Sequence, residues 1–132
     1  MQVLQVKSGK REQMLDITTQ VESLAREQGW QEGLVFLFCT HTTAGLTINE
    51  AADPAVGEDI LSSLQKLIPR QGEYRHMEGN SDAHIKSSLL GCSLQVPLVQ
   101  GRLSLGTWQG VFFAEFDGPR SRRVFAQLQA WA

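Results

Sequence analysis

Apolar residues fill every position from Leu34 to Cys39, and so short an unbroken run predicts a strand buried on both faces, with His41 emerging at its end. The small residues Thr42, Thr43, Ala44 and Gly45 follow, and then alternation resumes. Ala44, Leu46, Ile48 and Glu50 share one face, while Gly45, Thr47 and Asn49 share the other. Asp53 before Pro54 predicts a helix start, because the carboxylate accepts free amides and proline is preset for the first turn. Val56, Ile60, Leu64 and Leu67 then form one helical stripe, with Asp59 beside it.

Earlier in the chain, Gln2 to Ser8 alternates as a strand, and Met14 to Ile17 is its expected hairpin partner. Thr18 or Thr19 is placed to cap a helix through about Gln28, with Val21, Leu24 and Ala25 inward and Gly29 as its stop. Pro69 to Ser81 reads as a loop dense in polar chemistry, carrying Tyr74, His76, Glu78 and Asn80. Asn80, Ser81 or Asp82 caps a following helix from about Ala83 to Leu90, with Ile85 and Leu89 inward, Lys86 elsewhere and Gly91 ending it. From Ser93 onward strands dominate, and Pro97 places its strand at an edge or a bulge. Val111, Phe113, Glu115 and Asp117 share a face, and after Gly118 and Pro119 a last strand runs from Arg122 to about Ala130 with Val124, Ala126 and Leu128 inward. Strands at both ends and in the middle, with helices between, predict a single α+β domain over residues 1–132.

Composition narrows the partners. A net charge of -2, from 12 basic and 14 acidic residues, gives no basic face for nucleic acid and leaves an anionic ligand to be held locally. Cys39 and Cys92 lack a CxxC partner and read as free, buried thiols. Met1 leads into mixed polar residues, and no apolar run approaches the length of a membrane span, so a cytoplasmic protein is expected. A chain of 132 residues is short for an enclosed private site, which favours walls borrowed from a neighbouring subunit.

All three histidines, His41, His76 and His84, occupy places from which side chains can converge: a strand end, a polar loop and a first helical turn. Three imidazoles with an open position suit zinc or a similar divalent ion, although each also has the simpler reading of a hydrogen-bonded structural residue. The helix start at Asn80, Ser81 and Asp82 offers free amides to phosphate beside His84, and capping alone explains the same residues. In EFDGPRSRR, Glu115 extends an apolar face and Arg120 follows a tight turn, giving either a charged hairpin end or a fork preorganised for phosphate. Trp108 in LGTWQG is a ligand wall or simple packing.

Taken together, HTTAGLTINEAADP, YRHMEGNSDAHIKSSLLG, LGTWQG and EFDGPR closely resemble the YjbQ-like family of small proteins described as secondary thiamine-phosphate synthases. The resemblance runs from about Gly33 to Arg123. It implies a β-sandwich of about seven strands with two main helices, assembled as a homotrimer through its sheets. It also implies that His41, His76, His84, Asn80, Asp59, Glu115 and Arg120 fall within the family's characteristic motifs. With the residue readings above, His84, Arg120, Asp59 and Glu115 are expected to carry catalysis, Asn80, Ser81, Asp82, Thr42, Thr43 and Trp108 to bind a phosphorylated substrate, and His41, His76 and His84 to hold a divalent metal such as zinc or magnesium. The implied reaction joins a hydroxymethylpyrimidine pyrophosphate to a thiazole phosphate and releases pyrophosphate. Metal-dependent hydrolysis of another small substrate, and non-catalytic binding of a metabolite or metal by a trimer, are the competing readings.

Overall fold

The computed structural model describes residues 1–131, in which eight strands and three helices follow one another as β1 (Gln2–Lys7), β2 (Gln13–Asp16), α1 (Thr18–Glu27), β3 (Gly33–Cys39), β4 (Ala44–Glu50), α2 (Pro54–Leu67), α3 (Ser81–Leu90), β5 (Ser93–Val99), β6 (Arg102–Leu103), β7 (Gln109–Glu115) and β8 (Ser121–Ala130). They form a five-stranded sheet in the order β1-β8-β3-β5-β6 and a three-stranded sheet in the order β2-β7-β4. Every pairing is antiparallel. The inner faces of the two sheets meet in the main core, where Val35, Leu37, Val96, Leu98, Val124 and Ala126 pack with Leu46, Val111 and Phe113, and Val21, Leu24 and Ala25 of α1 close one side. Ala83 of α3, Ala114 and Phe116 make a second, smaller core, against which Leu61 and Leu64 of α2 rest half-buried. The result is an α+β sandwich with helices over the outer face of its smaller sheet.

Several expectations fail for physical reasons. Residues 14–17 do not return beside β1: β2 pairs with β7 from Asp16↔Phe112 to Gln13↔Glu115, and β1 pairs with β8 instead. Strand β3 is buried on one face only, and Phe36 and Phe38 stand 36% and 38% exposed on the open side of the five-stranded sheet. Helix α1 starts after Ile17 without a side-chain cap, because the Thr18 hydroxyl is engaged by Asp16 and by the Val111 amide. Asp53 does cap α2, accepting from the Ala55 amide at 2.9 Å ahead of Pro54. No residue of α2 is fully buried, and Leu67 at the end of its stripe is exposed.

The face of α3 is the opposite of the expected one. Ile85 and Leu89 are exposed, and Lys86 is fully buried beside Asp82 and Ala83. An apolar count points Ile85 and Leu89 inward, but a closed set of charges outweighs it: Lys86 Nζ donates to Asp82 at 2.8 Å and to Glu12 at 3.0 Å, and Arg11 donates both Nη groups to the Asp82 carboxylate at 3.0 and 3.1 Å. Charges paired in this way can be buried, although Arg11 Nε finds no partner among the described residues, and they bolt α3 to the 8–12 loop. Gly45 matches this docking, since a Cβ there would meet the Gly91 carbonyl oxygen at 2.8 Å. Cys39 is buried, but Cys92 is exposed, against expectation.

Candidate functional site

The turn from Asp117 to Arg120, between β7 and β8, is pressed against the loop after β1. Ser8 donates its amide to the Arg120 carbonyl at 3.0 Å, the Arg120 amide donates to Ser8 Oγ at 2.8 Å, and the Gly118 amide donates to the Arg11 carbonyl at 2.9 Å. A Cβ on Gly118 would stand 2.6 Å from Ser8 Oγ and 2.9 Å from Glu115 Cγ, so only glycine allows the approach. The turn is fixed from beneath by Glu115, which accepts from Ser8 Oγ, the Asp117 amide and two nitrogens of Arg122. Arg122 also donates to Thr43 Oγ1 at 2.9 Å. Burial alone would raise the Glu115 pKa, yet the bonds from Arg122 and Ser8 outweigh it and hold the carboxyl below its usual range. Glu115, expected to be catalytic, is thus an inter-sheet anchor with no exposed surface, and Thr43 belongs to the same buried knot rather than to a substrate surface.

Asp117 carries the turn's connection to α3. Its carboxylate accepts from Asn80 Nδ2 at 2.9 Å and from Arg120 Nη2 at 3.1 Å, while Arg120 Nε donates to the Asp117 carbonyl at 2.7 Å. Asn80 and Arg120, 40 residues apart by subtraction of their numbers, are therefore ligands of one carboxylate. Because Asp117 only accepts, it fixes the Asn80 amide with Oδ1 turned away, buried and without a partner among the described residues. Arg120 keeps about half its side chain exposed. Asp82, expected to touch substrate, faces inward instead. Burial would raise its pKa, but Arg11 and Lys86 hold it at about 2.

His84 stands between two clefts. On one side a cleft of about 380 Å³ is lined by Glu73, Tyr74, Arg75, His76, Ser81, His84 and Ile85. The rings of His76 and His84 meet edge to face, centroids 5.3 Å apart, and His76 Nε2 lies 3.8 Å from Glu78. On the other side a cleft of about 520 Å³ is lined by His41, Thr42, His84, Ser87, Cys92 and their neighbours. His41 Nε2 accepts the Arg123 amide at 2.8 Å. Burial, and then the neighbouring Arg122, push the His41 pKa down.

The structure thus brings together His84, His76 and Ser81 at one cleft and His41, Thr42 and His84 at the other, and it ties Asn80 to Arg120. It leaves Asp59 exposed on α2 and Trp108 64% exposed before β7, neither lining a cleft that contains a histidine. The three imidazoles do not form a ligand triad: no group of three or more His, Cys, Asp or Glu side chains among the described residues is arranged to hold a metal ion, and the Nε2 lone pair of His41 is occupied. Sequence reasoning missed Asp117, which joins the two halves, and Arg122, Arg11 and Lys86, which hold them still. A separate cleft of about 360 Å³ between α2 and the smaller sheet is lined by Asp16, Glu50, Asp53 and Glu58, and contains none of the expected site residues.

A small antiparallel sandwich that presents a histidine-flanked helix start beside an arginine-bearing turn defines the class. The chain belongs to the family described as UPF0047 protein YjbQ-like, which it matches over residues 2–130. It is 51% identical over 124 residues to UPF0047 protein MJ1081 of Methanocaldococcus jannaschii, covering 94% of this chain and 90% of the relative, and 49% identical over 129 residues to UPF0047 protein YugU of Bacillus subtilis, covering 97% and 98%. Among solved structures, an uncharacterized conserved protein of the same family from Clostridium acetobutylicum superposes with a TM-score of 0.94 at 50% identity, over 98% of this chain and all of that one. The conserved hypothetical protein TT1486 of Thermus thermophilus superposes with a TM-score of 0.93 at 47% identity, with the same coverage. No described helix is long and apolar enough to cross a membrane.

Proposed function

We propose that this protein binds a hydroxymethylpyrimidine pyrophosphate ester at the start of α3 and transfers its pyrimidinylmethyl group to the nitrogen of a thiazole phosphate, giving thiamine phosphate and pyrophosphate. The observation that carries the reading is the double use of Asp117, which sets the first turn of α3 and the exposed guanidinium of Arg120 into one frame. As the bond from the pyrimidine methylene to the pyrophosphate oxygen breaks, its electron pair leaves with the oxygen. Donors preset there stabilise the transition state more than the ground state. The amides that open α3 at Ser81 and Asp82, the imidazole of His84 and the remaining donors of Arg120 are such groups. The attacking thiazole nitrogen bears no proton, so the reaction needs no base, which agrees with Glu115 and Asp82 being locked into ion pairs. The histidine arrangement does not fit a three-imidazole metal site.

The open face of the five-stranded sheet supports a homotrimer as the working form. Val3, Phe36 and Phe38 are exposed there, and an apolar strip across an otherwise uncovered sheet favours association. Cyclic assembly would repeat the site three times.

The test is turnover with both substrates. His84→Ala and Arg120→Ala are each expected to lower thiamine-phosphate formation at least about tenfold, the scale of one lost hydrogen bond to a charged group. Asp59→Ala leaves turnover at the wild-type level. Wild-type rates in both of the first two variants defeat the assignment. Pyrophosphate ester cleavage that does not depend on the thiazole phosphate moves the function to hydrolysis, and tight binding without turnover moves it to a non-catalytic carrier.

A further inference from the structure

The expected role of His41 as a metal ligand conflicts with one hydrogen bond, and the conflict assigns it another role. The ladder between β3 and β8 ends at Cys39↔Val124. One position further on, Arg123 would present an amide and a carbonyl with no strand opposite on the β3 side, but two side chains take the strand's place. Thr40 Oγ1 donates to the Arg123 carbonyl at 3.3 Å, and His41 Nε2 accepts the Arg123 amide at 2.8 Å. A backbone N–H can only donate, so Nε2 must offer its lone pair, and the proton of the neutral ring then sits on Nδ1. Metal coordination through Nδ1 would move that proton to Nε2 and set two N–H groups against each other. The ring's remaining polar atom is thus a donor, on a residue that lines the cleft shared with His84.

We propose that His41 is a fixed, neutral hydrogen-bond donor to an anionic oxygen of the ligand in this cleft, and not a metal ligand. This rests on the reading of the α3 start as a phosphate ester site, with the ester extending past His84 into the cleft that His41 lines. His41 sits on the end of a core strand, and the Arg123 bond orients its ring, so the donor is placed before the ligand arrives and loses little freedom on binding.

With only three histidines in the chain, long-range proton–nitrogen NMR on histidine-labelled protein resolves each ring, and loss of a signal in His41→Gln assigns this one. The expected spectrum at neutral pH shows Nε2 unprotonated and Nδ1 protonated, unchanged by zinc, with the Nδ1 signal moved by pyrophosphate. A His41 ring protonated on Nε2, or one whose signals move on adding zinc, overturns the proposal.

Two variants separate the bonds. His41→Gln keeps an acceptor where Nε2 was and loses the donor, so thermal stability holds while pyrophosphate affinity falls about tenfold. His41→Asn keeps a donor near the Nδ1 place and loses the acceptor, so affinity holds and stability falls. Wild-type affinity in His41→Gln overturns the donor role. Wild-type protein that does not bind pyrophosphate removes the phosphate-site reading and the donor role with it, while the spectrum alone still decides the proton's position and the metal question.

Discussion

Replacing Asp82 by Asn removes one charge from the centre of a buried cluster while leaving its shape. In the native protein the Asp82 carboxyl is lowered from an ordinary 3.8 to about 2: burial opposes ionisation, but bonds from Arg11 and Lys86 prevail. At about 1.4 kcal/mol per pH unit that difference is worth on the order of 2.5 kcal/mol near neutrality. With an unfolding entropy of about 2.1 cal/mol/K per residue, losing it lowers the melting temperature by on the order of 9 °C. The sign with pH is fixed by the direction of the shift. A depressed carboxyl contributes fully above its unfolded value of about 3.9 and stops contributing as the pH falls through about 2, so the gap between wild type and Asp82→Asn should close from pH 5 downward. The Glu115 carboxyl is lowered too, but it is present in both proteins and cancels in the difference. Thermal unfolding followed by circular dichroism at matched concentration measures this. A variant as stable as wild type at pH 7, or a gap that stays constant on acidification, refutes the claim that these charges clamp α3.

Glu115→Gln should lower the melting temperature through loss of the bonds to Arg122 and Ser8, and should loosen the 117–120 turn, read as faster amide exchange at Asp117 and Arg120. Unchanged exchange there would contradict its anchoring role. Phe38→Lys, which puts a charge on the open sheet face, is expected to convert a trimer mass to a monomer mass by light scattering without unfolding the chain. A wild-type monomer at micromolar concentration would count against assembly through this face.

The strands were legible wherever one periodicity dominated. The buried alternation of β8 from Arg122 to Ala126 follows the sequence pattern, whereas β7 is buried on both faces from Gly110 to Glu115 because α3 covers its outer side, and Asp53-Pro54 opens α2 as its chemistry dictates. Strand β2 was assigned to the wrong neighbour because four residues carry too little alternation to choose a sheet, and chain proximity favoured a hairpin that the structure does not form. The face of α3 is not legible from apolar content, because Asp82 and Lys86, four apart on one face, find partners in Arg11 and Glu12 that lie far away in sequence. A signal for the Glu115–Arg122 pair was present: Arg122 shares its parity with Val124 and Ala126, as Glu115 does with Val111 and Phe113, so two opposite charges were both aimed at the core. What no local pattern contains is the meeting of Asn80 with Asp117, which exists only once α3 has docked.

The central claim is that a pyrophosphate group sits where α3 begins, beside Arg120. Amide-detected NMR titration of the wild-type protein with pyrophosphate tests it most directly. Saturable shifts are expected, largest at Ser81, Asp82 and His84, with a matching change at Arg120. Shifts confined to the cleft around Gly57 and Glu58, or none at all, would contradict it.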